Sequence, residues 1–466
     1  VSTILPAEGA RFETVVPVLV IGAGAAGLTA ALAAREAGAD VAVLERDPVP
    51  RGSTALSAGL IPAAPTRFQA EHGIADSVDL FARDILNKAK HEPDAAVVHA
   101  IAEGSGPVIE WLADKHGLPF SVVHDFSYPG HSARRMHGLP SRSGAELVDR
   151  LRQAVEAQDI PILTEATVTA LFAAGDGRIA GVRISRPDGT TENIGCGALV
   201  LASNGYGGNP DLVRRYIPEM ADALYFGHPG NRGDAVLWGE ALGATLVAMS
   251  GYQGHGSVAH PHGILVSWAV VMEGGFQVNL DGRRFSNETQ GYSEQAAVVL
   301  KERDATAFDV FDGRIAAIAR QFEDFRNAEA MGAVIVAPTA ADLAAAIRVP
   351  AAALAATFDD IAAARAAGTP DRFGREWRGV AALMPPYCAV KVTGALFHTQ
   401  GGLAVDTQGR VTRADGSLLP NLFAVGGAAV GVSGSTAAGY LSGNGLLTAT
   451  VLGRAAGDAA ARLVGP

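Results

Sequence analysis

The chain has 466 residues, 48% of them hydrophobic and 18% charged, which excludes a disordered protein and allows two hydrophobic cores. Its net charge of −11 argues against nonspecific binding to nucleic acid or to an anionic membrane surface. The only cysteines, Cys196 and Cys388, cannot build a disulfide framework, a CxxC redox site or a c-type haem attachment.

At the N-terminus no basic segment leads into an apolar core with a cleavage site, so no signal peptide is expected. A reducing cytoplasm is the simplest compartment. The first clear unit is VVPVLVIGAGAAGLTAALAAREAGADVAVLERD. Val15–Ile21 is a Val-rich buried-strand run, residues 25–37 have helical composition, Gly38 marks a stop, and residues 41–44 form the next strand. A glycine- and serine-rich loop, RGSTALSAGLIPAAP, and helical segments to about residue 115 follow. Residues 165–203 change texture. Asp176-Gly177 and Asp188-Gly189 separate apolar runs, which predicts an antiparallel meander before a buried strand over 198–202. The segment GGFQVNLDG ends in another Asp-Gly signal, predicting a hairpin and then a helix through RRFSNETQGYSEQ. Residues 338–368 are Ala-rich and helical, and the last 45 or so residues read as strand, glycine-rich loop and final helix. Apolar runs are interrupted before the ~20 residues of a transmembrane helix, so no membrane span is expected.

Gly22-Ala-Gly24-Ala-Ala-Gly27 matches GxGxxG, follows a strand, opens a helix, and is followed 18 residues after Gly27 by Glu45. Gly22 permits the tight turn, Gly24 admits a pyrophosphate to the backbone, and Gly27 lets helix and strand pack closely. The helix N-terminus favours phosphate, and Glu45 suits a ribose 2′-hydroxyl while repelling a 2′-phosphate. A dinucleotide site is therefore expected, with Ala26 and Arg46 beside its glycines and carboxylate.

Three further stretches, RGSTALSAGL, ALVLASNGYGGN and NLFAVGG…YLSGNGLLTATVLGRAAG, occur in an order and spacing that resemble one flavoprotein family. It is the family of fumarate reductase and succinate dehydrogenase, which also contains the 3-ketosteroid dehydrogenases. The resemblance covers nearly the whole chain. It implies an α/β fold: a Rossmann-like FAD-binding domain with a β-meander, over residues 1–250 and 398–466, and an inserted α+β cap over 251–397. It places FAD against Ser53, Thr54, Ser57, Ala58, Gly59, Val168, Asn204, Gly205, Ser442, Gly443, Asn444 and Leu446, with Asp234 near the ribityl hydroxyls. Relatives with covalent FAD carry a histidine in the loop matching RGSTALSAG; this loop has none, so noncovalent FAD is expected. Gly426-Gly427 stands where many relatives have Gly-Glu.

In fumarate-reducing members, two histidines and two arginines hold a dicarboxylate, and one arginine delivers a proton supplied through a glutamate and another arginine. The resemblance places the histidines at His255, in Gln253-Gly254-His255, and at His398, in ALFHTQGG. His260 and His262 lie close to the first. The arginines are missing. The frame Arg284-Phe285-x-Asn287-Glu288 puts the proton donor at Tyr292, the relay glutamate and arginine fall on Trp268 and Val271, and the second substrate arginine on Tyr440. A phenol cannot reproduce a bidentate guanidinium clamp, and each lost charged hydrogen bond costs a dicarboxylate ~1.5–3 kcal/mol.

Tyrosines and a tryptophan instead offer apolar faces with a polar tip, suited to a flat, apolar carbonyl substrate. The expected activity is FAD-dependent oxidation or reduction of a carbon–carbon bond beside a carbonyl, with hydride exchanged with flavin N5. Tyr292 would handle the α-proton, and Tyr440 and His398 would bind the polar ends. The rival readings are reduction of a carboxylated alkene and a flavin-binding subunit without chemistry. The segment YPGHSARRMHG, residues 128–138, reads as a surface loop from which His131 or Arg134 could approach the site. No metal-ligand spacing is present, and with no haem or iron–sulfur motif the electron partner is expected to be diffusible.

Overall fold

The computed structural model describes residues 3–125 and 127–465. The strand Thr14–Ile21 turns through Gly22 into the helix Ala25–Glu36, and the chain returns as the parallel strand Val41–Leu44. Gly22 has φ +106°, and a Cβ there would lie 2.5 Å from the Ala202 carbonyl oxygen. Only glycine meets both conditions.

The meander forms as Thr167–Ala173, Ile179–Ser185 and Thr191–Leu201, joined antiparallel. Residues 198–202, expected as a separate strand, are instead the end of this last strand and the residue after it. One of its edges pairs parallel with Thr14–Ile21, while the other passes from Ile179–Ser185 to the parallel strand Leu418–Ala424. Apolar residues through 198–201 are buried on both faces, so no break in the strand is needed. Among the described residues these strands belong to a nine-stranded sheet.

A second sheet, seven-stranded among the described residues, is centred on Tyr387–Thr399. This strand pairs antiparallel with Tyr252–Ala259, Thr306–Asp312 and Val334–Ala337. Phe276–Val278 pairs with Thr306–Asp312, so the expected hairpin does not form. The turn after it closes with Asn279 N–H donating to the Arg283 carbonyl, but Arg284 is then drawn into a buried ion pair with Glu288. The chain turns helical instead of continuing as a strand.

Within the core of the nine-stranded sheet the last helix, Asn444–Val464, lies against Ala25–Glu36. A Cβ on Gly453 would stand 2.7 Å from the Ala26 carbonyl oxygen, and one on Gly457 2.1 Å from that of Ala30. Backbone touches backbone, so both helix N-termini are brought to the same end of the sheet. Gly457→Ala is expected to destabilise the holoenzyme by ~1–3 kcal/mol through overpacking. Gly175→Ala, where a Cβ meets nothing within 4 Å, is the near-neutral control in the same urea titration.

Candidate active site

One continuous cavity runs from the Gly22–Ala26 turn, past Glu45 and Ser53–Gly59, to a group of aromatic side chains between the two sheets. Gly24, Ala26, Arg46, Thr54, Ser57, Ala58, Val168, Asn204, Asp234, Gly426, Gly427, Ser442, Gly443 and Leu446 all line it. Gly27, Gly205 and Asn444 stand behind the lining. A Cβ on Gly27 would lie 1.9 Å from the Gly22 carbonyl oxygen, and one on Gly205 1.9 Å from Thr399 Oγ1. Asn444 is fully buried and donates through Nδ2 to Ser433 Oγ at 3.1 Å.

The Glu45 carboxylate accepts the backbone N–H groups of Ala23 (2.9 Å) and Asp47 (3.0 Å), which fixes it at the mouth of the glycine turn. Ser203 Oγ, Trp238 Nε1 and Arg46 Nε are buried polar atoms without partners among the described residues, and all three residues line this arm of the cavity. An elongated ligand rich in hydrogen-bonding groups, such as a dinucleotide, fits that chemistry. The Gly426-Gly427 departure has a local cause. A Cβ on Gly427 would lie 2.1 Å from Asn204 Oδ1, so the Asn204 amide occupies the space a larger side chain would need.

At the other end, Trp268, Val271, Tyr292 and Tyr440 form one small buried cluster with Tyr128 packed against it. Tyr292 opens the helix Tyr292–Val299. That helix is mounted on the Arg-Phe-x-Asn-Glu frame: Glu288, wholly buried, is bound by Arg284 (2.8 Å) and Arg375 (3.0 Å), and it accepts the Gln277 N–H at 3.1 Å. Asp371 completes the set with Arg284. The conspicuous charges of the motif are therefore a mount and do not line the cavity; Val271, likewise, is packed behind it.

Tyr440 Oη accepts the Gly445 N–H at 3.3 Å, at the start of the last helix. Burial pushes its phenol up to about 12 against donors from Gly445, Gly443 and Tyr292. Tyr292 is raised well above its usual value, first by burial and then by Tyr440, with Ser442 opposing. The Tyr292 and Tyr440 rings meet edge-on at 6.1 Å, and the Tyr440 oxygen faces the N-terminus of the last helix.

His255 stacks on Tyr292 at 4.8 Å and on Phe397 at 5.2 Å, and meets Trp268 edge-on at 5.5 Å. A register shift in Tyr252–Ala259 turns the Ser257 N–H onto His255 Nδ1 at 3.1 Å. A backbone donor there leaves Nδ1 unprotonated, so the neutral ring carries its hydrogen on Nε2. His398 meets Tyr440 edge-on at 5.5 Å, and its Nδ1 lies 2.9 Å from Gln400 Nε2. Burial lowers His255 to about 3 and His398 to about 4. Both therefore serve as neutral hydrogen-bonding groups at neutral pH.

The reading of residues 128–138 as a surface loop is corrected by the structure. Arg135 is buried between Asp76 and Asp84 at 2.9 and 2.5 Å, His131 Nε2 lies 3.0 Å from the Ser442 carbonyl, and Arg134 points outward. Neither His131 nor Arg134 lines the main cavity. Tyr128 does, hydrogen-bonded to Ser267, with burial raising its phenol above the ordinary value. Sequence reasoning missed it, along with Phe226, Phe397, Phe322 and Asp324; the only signal was the aromatic that opens YPGH. Among the described residues no His, Cys, Asp or Glu cluster converges as a metal site, and no helix is long and apolar enough to cross a membrane.

Desolvation lowers four histidines, the buried His137 and His255 and the half-buried His131 and His398, to about 3 to 4. Their protons bind in the unfolded chain first. Stability should therefore fall as pH drops below the ordinary ~6.5, with a slope approaching ~1.4 kcal/mol per histidine per pH unit until the folded values are reached. Urea unfolding between pH 7.5 and 5 measures this net of the opposite contribution of Asp309 and Asp324, whose carboxyls burial raises to about 7 and about 6; stability rising steadily toward pH 5 would contradict the burial of neutral imidazoles.

The chain matches the FAD binding domain family model over residues 17–446. It is 31% identical over 445 residues to the probable fumarate reductase Ifc3 of Shewanella frigidimarina (strain NCIMB 400), spanning 96% of this chain and 74% of that protein. The open conformation of a flavocytochrome c3 fumarate reductase superposes with a TM-score of 0.81 at 31% identity, over 98% of this chain and 80% of that one. The 3-ketosteroid-Δ4-(5α)-dehydrogenase of Rhodococcus jostii RHA1 shares the fold, with a TM-score of 0.77 at 24% identity over 99% and 100% of the two chains. The chain belongs to the FAD-binding family of the fumarate reductase and succinate dehydrogenase flavoproteins, and is an FAD-dependent oxidoreductase acting on carbon–carbon bonds.

Proposed function

We propose that the substrate is a flat, largely apolar carbonyl compound, ketosteroid-like or a cyclic enone, oxidised or reduced at the carbon–carbon bond beside its carbonyl. The observation that carries this reading is the edge-on Tyr292–Tyr440 pair at the end of a cavity whose described lining contains one Lys or Arg side chain, Arg46. Arg46 is committed to the Gly230 carbonyl at 2.7 Å, in the arm lined by Glu45 and Asp47. Nothing cationic is left to clamp a dicarboxylate.

FAD binds noncovalently along Gly22–Ala26, Glu45, Arg46, Ser53–Gly59, Val168, Asn204, Asp234, Gly426, Gly427 and Ser442–Leu446. Bound there, it supplies the hydride acceptor or donor. The chain's own groups do the rest. His255, through Nε2–H, and His398 donate to substrate oxygen, while the Trp268, Phe397 and Tyr292 faces hold the ring system and exclude water. Tyr292 exchanges the α-proton. The charge this leaves on its oxygen is met by the Ser442 hydroxyl, while Tyr440 is held by the Gly443 and Gly445 N–H groups. Electrons pass to or from a diffusible partner, and a cytoplasmic setting accords with the two free, buried cysteines.

The second reading, reduction of a carboxylated alkene, is favoured by the two histidines and by relatives named fumarate reductase and urocanate reductase. An anaerobic screen following the flavin absorbance with fumarate, urocanate, cyclic enones and 3-ketosteroids separates the two. Tyr292→Phe, with flavin content unchanged, is expected to lower turnover of the true substrate by ~10²–10⁴-fold. Wild-type turnover in this variant would remove Tyr292 from the proton transfer.

A further inference from the structure

One carboxylate in the cavity has no role in holding FAD or moving a proton. Asp324 lines the cavity in the first turn of the helix Glu323–Ala330, next to Phe322. This helix packs on the strand Ile264–Leu265, and Leu265 lines the same cavity. Phe322 belongs to an apolar cluster with Leu60 and Met136, which also line it. Phe322, the neighbour of Asp324, thus belongs to a different apolar cluster from Trp268, Tyr292 and Tyr440, with Tyr128 packed against both.

The other lining carboxylates are engaged. Glu45 accepts two backbone N–H groups, Asp47 pairs with His228 at 2.8 Å, and Asp234 has a partner. Asp324 is half-buried, and no hydrogen bond or ion pair to another described residue is made by its side chain. Its nearest charges are Glu323, which opposes ionisation, and Arg326, which favours it; burial is the largest influence and lifts the carboxyl to about 6. A half-buried carboxylate with no direct ion-pair partner among the described residues has a desolvation cost that a ligand donor would offset.

We propose that Asp324 is a specificity residue: it accepts a hydrogen bond from an O–H or N–H group on the substrate's end remote from the reacting carbonyl, and it rejects a carboxylate there. The inference rests on the carbonyl-substrate reading. It narrows the class to carbonyl compounds carrying a distal hydroxyl or ammonium group.

The test uses the FAD-loaded enzyme and three ligands: 4-androstene-3,17-dione, its 17-hydroxy counterpart and a 17-carboxylate analogue. Affinity is read from the perturbation of the flavin absorbance, and KM and kcat are measured beside it. In the wild type the hydroxyl ligand should bind about tenfold tighter than the diketone and the carboxylate at least tenfold weaker. Asp324→Leu should abolish both differences. Asp324→Asn, which keeps an acceptor but no charge, should retain part of the hydroxyl preference and lose the carboxylate rejection. Equal ligand ratios in wild type and Asp324→Leu would overturn the role of Asp324 while leaving the carbonyl reading intact. If neither these ligands nor simple cyclic enones perturb the wild-type flavin, the carbonyl reading falls and this inference with it.

Discussion

The contact on which the rest depends is the backbone-to-backbone seating of Asn444–Val464 on Ala25–Glu36. Gly453 and Gly457 leave no room for a β-carbon against Ala26 and Ala30, so the two helices approach as closely as their main chains allow. Because they are fixed in register, the dinucleotide turn before one and the glycine-rich loop before the other open onto a single cavity. The glycine-turn end of the cavity and Tyr440 are set by segments more than 400 residues apart in sequence. Neither could be placed by its local sequence alone.

A second constraint holds the opposite wall. Glu288 is wholly buried and would be costly to keep there without Arg284 and Arg375. Removing either arginine would leave an uncompensated charge, so the network over-determines the turn from which Tyr292 emerges. The charged letters of RRFSNE are therefore structural in this chain, and the uncharged tyrosine four residues beyond Glu288 is what the cavity sees. Electrostatics follows from this division. Full charges are spent on the mount, while the reacting end keeps neutral imidazoles and protonated phenols, whose burial makes ionisation expensive.

Much of this was legible from the sequence because it depends on short-range rules. The strand, glycine turn, helix and carboxylate of residues 15–45 are specified by spacing, and the meander by its Asp-Gly turns. The failures share a cause. Residues 128–138 look polar and exposed, yet Arg135 is neutralised by Asp76 and Asp84 from distant helices and loops, a pairing no local pattern reveals. The expected hairpin after Phe276–Val278 yields to Thr306–Asp312, a partner supplied some 30 residues later. Residues 198–202 read as a fresh strand only because a change of partner along one edge is invisible in a linear pattern.

By itself, then, the sequence determined the dinucleotide-binding βαβ unit, since residue type and spacing carry that information directly, and its further motifs resembled the family to which the chain belongs. Tertiary structure alone decided which polar groups meet. It set Tyr292 edge-on to Tyr440, fixed the His255 tautomer through the Ser257 backbone, brought Tyr128 against the cluster and left Asp324 without a direct partner among the described residues. Hydrogen bonding and desolvation act over a few ångströms in space, and the chain brings those few ångströms together only by folding.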